Sequence, residues 1–175
     1  MILADFLRPL RNPTSIRLAL GLACALIPSP LVNAADSSPA RVPEEFRAHI
    51  GGFLGGDYVV EMRGSVITYT ARAKERGQPA RTESVTPTTA QWREFRAALD
   101  ELKIWQWKAD YPSKGMTDGT QWSLDIAYAD RSLKAQGRNQ YPGDDAKASG
   151  QPVPGKTFQR YLAAVKILLG GRDFE

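Results

Sequence analysis

The clearest pattern in the chain is an alternation. Between Thr117 and Pro142, Trp122, Leu124, Ile126 and Tyr128 are separated by Ser123, Asp125 and Ala127, which places the two sets on opposite faces of a β-strand. Leu133 and Ala135 then alternate with Lys134 and Gln136 from Ser132 to Gly137. The stretch therefore predicts a β-hairpin with Asp130-Arg131 at its turn. A second hairpin is predicted from Asp57 to Met62 and Ser65 to Ala73, around Arg63-Gly64, and Thr82 to Thr86 can return as a third strand beside it.

Two stretches follow a helical period instead. Trp92, Phe95, Leu99 and Leu102 form one apolar stripe, with Arg93, Glu94, Asp100 and Glu101 outside it. Their helix has an entrance in Pro87-Thr88-Thr89-Ala90-Gln91, where Thr88 or Thr89 caps and Gln91 reaches back. Phe158, Leu162, Val165, Leu168 and Leu169 predict a second helix from Lys156 to Leu169, stopped by Gly170-Gly171. Pro43, followed by Glu44 and Glu45, predicts a short additional helix through Ile50, because proline and acids suit a first helical turn. The run Gly51 to Gly56 ends it as a flexible turn; no Gly-Lys-Ser/Thr follows, so the chemistry of a phosphate-cradling loop is missing.

Strands with one apolar face and helices with one apolar stripe are satisfied together by an α+β fold. The expected architecture is a two-layer sandwich: an antiparallel sheet of four to five strands with two main helices on one face. It occupies residues 43–175 as a single domain, with Gly143 to Gly155 as a loop before the last helix. The chain has 175 residues, 42% hydrophobic and 24% charged, which suits one domain with an ordinary core.

The first 34 residues have a different character. Arg8, Arg11 and Arg17 precede an apolar run from Leu18 to Ile27, Pro28 and Pro30 break it, and Val32-Asn33-Ala34 offers small residues for cleavage between Ala34 and Ala35. This predicts a signal peptide at 1–34, a flexible linker at 35–42, and a periplasmic or secreted product. The apolar run is well short of the roughly 20 residues a membrane-spanning helix needs. Cys24, the sole cysteine, lies inside the signal, so the mature chain is expected to carry no disulfide and no thiolate. Lys and Arg number 23 against 19 acids, a net +4 that signal removal reduces; no nucleic-acid partner is expected from so mild an excess.

Several chemistries are excluded by what is absent. His49 is the only histidine, so a zinc site of several His or Cys ligands has no ligands to use, and no metal or other cofactor is expected. A Ser-His-Asp triad would depend on His49, which has no nucleophile-elbow sequence near it. Asp144-Asp145 lacks the spaced oxygens of a calcium loop. Asp110, Asp118 and Asp125 are the acids available for a carboxylate-dependent hydrolase acting on a cell-wall polysaccharide. Asp118 before Gly119 reads more simply as a turn residue, and Asp125 as part of a wet strand face.

Two groups of residues are candidate contacts for a partner. Trp105, Trp107 and Tyr111 cluster between the first long helix and the Thr117 hairpin, where exposed aromatics would anchor a protein or a sugar. Arg72, Lys74, Arg76 and Arg81 collect around a Gly/Pro turn as a patch for anions. No catalytic residue is assigned.

The hairpin also carries a recognisable run, Asp118-Gly119, Trp122-Ser123-Leu124, Ile126 and Tyr128, followed by Gly137, Asn139 and Tyr141-Pro142. It resembles a family of small, often exported, uncharacterised bacterial domains. The resemblance spans roughly Trp92 to Leu169 and implies no activity. The functional expectation is a non-enzymatic binding or interaction module of the cell envelope, with an envelope protein or a polysaccharide as partner.

Overall fold

The segment expected to open as a short helix, Pro43 to Ile50, is a β-strand. In the computed structural model, which describes residues 42–52, 56–73, 78–113, 119–143 and 153–175, strand β1 runs from Glu45–Gly52. Phe46, Ala48 and Ile50 are buried there, while Glu45, Arg47 and His49 point the other way. That period of two decides against the helix cues of Pro43-Glu44-Glu45, because β1 is paired along both edges. Ala48, wholly buried, sits opposite Val60 on one side and Leu124 on the other. Tertiary pairing of this kind routinely overrides a local end signal.

β1 is the centre of the sheet. The remaining strands are β2 (Asp57–Arg63), β3 (Val66–Arg72), β4 (Arg81–Val85), β5 (Asp110–Tyr111), β6 (Thr120–Tyr128) and β7 (Arg131–Arg138), in the order β4-β3-β2-β1-β6-β7-β5. The sheet thus has seven strands rather than four to five. β1 and β5 are the additions. β5 is only two residues long and pairs parallel with β7, so the sheet is mixed, and no periodicity can announce so short a strand.

Helix α1 (Thr89–Glu101) and helix α2 (Lys156–Leu168) lie on one face of this α+β fold. The register aligns Phe46 with Ile126 and Ile50 with Trp122. Phe46 meets the rings of Trp92 and Phe95 from α1 at 6.2 and 5.2 Å, and Trp122 meets Phe158 from α2 at 4.9 Å. The expected entrance to α1 is a capping box: Thr88 Oγ1 accepts from the Gln91 backbone N–H, and the Thr88 N–H donates to Gln91 Oε1 at 2.9 Å. Gln91 Nε2 also donates to the Ile167 carbonyl, which joins the start of α1 to the end of α2.

The hairpin motif is a lock on its own open end. Gly119 has φ of +140°, and a Cβ there would fall 2.0 Å from Asn139 Oδ1. Asn139 is buried in the left-handed region at φ 52°; its Oδ1 accepts from Thr120 N, and its N–H donates to the Thr120 carbonyl, both at 2.9 Å. Trp122 Nε1 donates to the Gln140 carbonyl at 2.8 Å across the space that Gly137 leaves open, and Tyr141 lies against Phe158. Glycines here are required by close approach, not by a turn. The turn itself is Ala129-Asp130, one residue earlier than expected, since Tyr128 pairs with Arg131. That shift lets Asp130 accept two hydrogen bonds from Arg96 of α1, at 2.9 and 3.1 Å, while the Arg96 guanidinium lies 4.4 Å from the Tyr128 ring centroid.

Candidate functional site

The face of the sheet opposite the helices is polar. One row of paired residues crosses all seven strands: Thr82, Thr70, Val59, His49, Ser123, Gln136 and Asp110. Among the described residues, neither helix packs on this side. Within it the rows differ in how they use their side chains.

The row through Arg47 is a charge ladder closed on itself. Glu61, Arg47, Asp125 and Lys134 alternate in sign along neighbouring strands. Arg47 Nε lies 3.4 Å from Glu61 Oε1 and Lys134 Nζ 2.7 Å from Asp125 Oδ2. The hydrogen bond from Lys134 to Asp125 raises the lysine pKa. Exposed pairs of this kind contribute little to stability, but they leave this row without free charge.

The row through His49 is organised differently. Asp57, on the row beyond it, reaches over Gly51 to His49; its Oδ1 lies 2.7 Å from His49 Nε2. Gly51 makes this possible, because a Cβ there would fall 2.3 Å from the same Oδ1. A carboxylate can only accept, so neutral His49 carries its proton on Nε2 and presents Nδ1 as an acceptor. Beside His49 lies a groove of about 470 Å³. Gln121, Ser123, Gln136 and Arg138 from β6 and β7 lie between His49 on one side and Asp110 on the other. The side chains of Gln121, Ser123, Gln136 and Arg138 make no hydrogen bond among the described residues. A set of amides, a hydroxyl and a guanidinium with spare donors and acceptors is suited to a polar ligand, not to covalent chemistry.

Among the described residues the acids do not converge as a hydrolase requires. Asp57 on β2 and Asp110 on β5 are four strand spacings apart in the sheet, about 19 Å, against the roughly 5 to 9.5 Å of glycosidase carboxylate pairs. Asp125 is tied to Lys134, and Asp118 lies outside the described residues. His49 and Ser123 face each other across β1 and β6, but the carboxylate at Nε2 draws the ring towards β2. Among the described residues no cluster of three or more potential metal ligands occurs.

The aromatic candidates turn inward in part. Trp107 packs its ring against Trp122, Phe158 and Tyr161, and Tyr111 against Trp122. Trp105 meets Tyr128 edge-on, donates from Nε1 to Asp100 at 2.6 Å, and lies between the guanidinium groups of Arg96 and Arg131. All three are half-buried, and they serve two separate clusters rather than one patch. Arg72 and Arg81 are exposed at the far end of β3 and β4, whereas Lys74 and Arg76 lie outside the described residues, as do the expected signal segment and nearly all of the linker. Sequence reasoning missed Gln121, Gln136 and Arg138 as a set, and the role of Asp57. The alternation of Arg47 and His49 with Phe46, Ala48 and Ile50 was the signal that could have found the face.

No family model matches the chain, and no curated protein matches it. Among the described residues no helix is long and apolar enough to cross a membrane.

Proposed function

We propose that this chain is an exported, non-enzymatic binding module of the cell envelope that holds a hydroxyl-rich polymer, a polysaccharide, on the open face of its sheet. One observation carries the reading. The groove beside His49 gathers four hydrogen-bonding side chains with no protein partner among the described residues, next to a row whose charges are already paired. Packing does not account for Gln121, Ser123, Gln136 and Arg138, and ion pairing does not either. Sugar hydroxyls both donate and accept, which is what amides, a serine hydroxyl and His49 Nδ1 can meet in turn. The resemblance of the hairpin to exported bacterial domains and the signal-like first 34 residues support the location.

The test is titration of the 15N-labelled protein with soluble cell-wall glycan fragments. Expected are shifts of the Gln121, Ser123 and Gln136 amide signals and recovery of the glycan intact. Shifts confined to the helix side, or cleavage of the glycan, would overturn the proposal.

A further inference from the structure

A second cavity lies on the helix side of the sheet, at the end that the helices leave uncovered. There β2 to β4 meet the residues that follow α2. Tyr69 Oη donates to the Asp173 carbonyl at 2.7 Å, Arg172 Nε to Glu83 Oε2 at 2.8 Å, and Phe174 is buried beside Tyr58. These contacts strap Arg172, Asp173 and Phe174 to the sheet and border an open cavity of about 290 Å³.

The register explains the shape of the cavity. Tyr58, Ala71 and Arg81 face the same way on adjacent strands, so a phenol ring, a methyl group and a guanidinium follow one another in a row. The methyl leaves a gap between the other two, which are two strand spacings or about 10 Å apart at the backbone. Tyr69 forms the neighbouring side of that gap.

Charge in the cavity is unevenly spent. Arg172 satisfies Glu83 through Oε2, and its hydrogen bond holds the Glu83 pKa below the usual value; Lys166 satisfies the Asp173 carboxylate at 2.9 Å. Arg81 makes only a longer contact of 3.3 Å to the other Glu83 oxygen and keeps 82% of its side chain exposed. Arg72, on the rim, has no ion pair among the described residues.

We infer that this cavity binds a compact, flat organic acid, with its apolar body laid over Ala71 between Tyr58 and Tyr69 and its carboxylate on Arg81. The ring faces supply the apolar contact, and the planar guanidinium receives the two carboxylate oxygens side by side. The volume limits the ligand to about one or two rings, at the lower end of small-molecule sites. The site is separate from the open-face groove and does not depend on it.

The probe is 2-naphthoate, compared with its neutral amide, 2-naphthamide, by NMR titration of the whole protein. Naphthoate is expected to shift the amide signals of Tyr58, Tyr69, Ala71 and Arg81 and to bind about ten-fold tighter than the amide. Arg81→Ala, a change at an exposed side chain, is expected to bring naphthoate down to the amide's affinity, and Arg81→Lys to restore part of the difference. The inference is overturned if neither compound binds, if acid and amide bind alike, if the shifts fall elsewhere, or if Arg81→Ala leaves naphthoate binding unchanged.

Discussion

The two faces of β1 share a backbone and differ in everything else. Phe46, Ala48 and Ile50 point into a layer of rings and aliphatic chains, where volume and shape decide which residue can stand. Arg47 and His49, one residue along, point away from the helices into polar rows. Arg47 is explained by Glu61 and His49 by Asp57, so each has a local electrostatic reason. The neighbouring Gln121, Ser123, Gln136 and Arg138 have neither kind of reason, and that is what separates a site from a surface. A side chain that packing and pairing both leave idle is the better pointer to function.

Substitutions on the two faces should differ most in stability. Phe46→Ala removes a ring that two α1 aromatics rest on and should cost about 3 to 5 kcal/mol by urea unfolding. His49→Ala, three residues along on the opposite face and partly exposed, should change stability by no more than about 1 kcal/mol. Equal effects would break the distinction between the faces.

Gly137→Ala comes next. Its methyl would fall 2.5 Å from Trp122 Nε1 and 2.6 Å from the Gln140 carbonyl, so the lock at the hairpin's open end must yield. About 1 to 3 kcal/mol should be lost, read from the unfolding midpoint. Gly64→Ala, at a turn with open space but φ of 63°, should cost only about 1 kcal/mol.

The alkaline limb offers a further contrast. Burial, followed by the neighbouring Tyr58 phenol and then the charges of Asp173 and Glu83, pushes the Tyr69 pKa up to about 12, and burial pushes Tyr128 and Tyr161 up as well. Because these folded values exceed that of an unfolded tyrosine, their contribution is complete below about pH 10 and is lost as pH rises through the folded values. Absorbance at 295 nm should therefore show the tyrosinate of these rings forming only well above pH 10 and together with loss of the fold. A single stage near pH 10 with the fold intact would contradict the burial of these rings.

Much of the fold was legible because it is written in periodicity. The α1 cap at Thr88 with Gln91, the stripe from Trp92 to Leu102, α2 and the two hairpins follow from local rules. β1 was not legible as a strand, since proline and two glutamates imitate a helix start and only the pairing of β2 and β6 on either side resolves the conflict. β5 is too short to have a period. The open-face groove was less legible still: its residues come from β1, β5, β6 and β7, and only the register brings His49 beside Ser123 and Gln136 beside Asp110. The placing of the aromatic candidates was not legible, because a Trp-rich stretch reads the same whether its rings are contacts or supports.

The most direct measurement is the affinity of soluble cell-wall glycan for the wild-type protein and for a Ser123→Ala/Gln136→Ala variant, with urea unfolding of both. The open-face assignment requires binding to fall at least about ten-fold, two hydrogen-bonding side chains' worth, while the unfolding midpoint stays within about 1 kcal/mol of wild type. Unchanged affinity in a folded variant would contradict it.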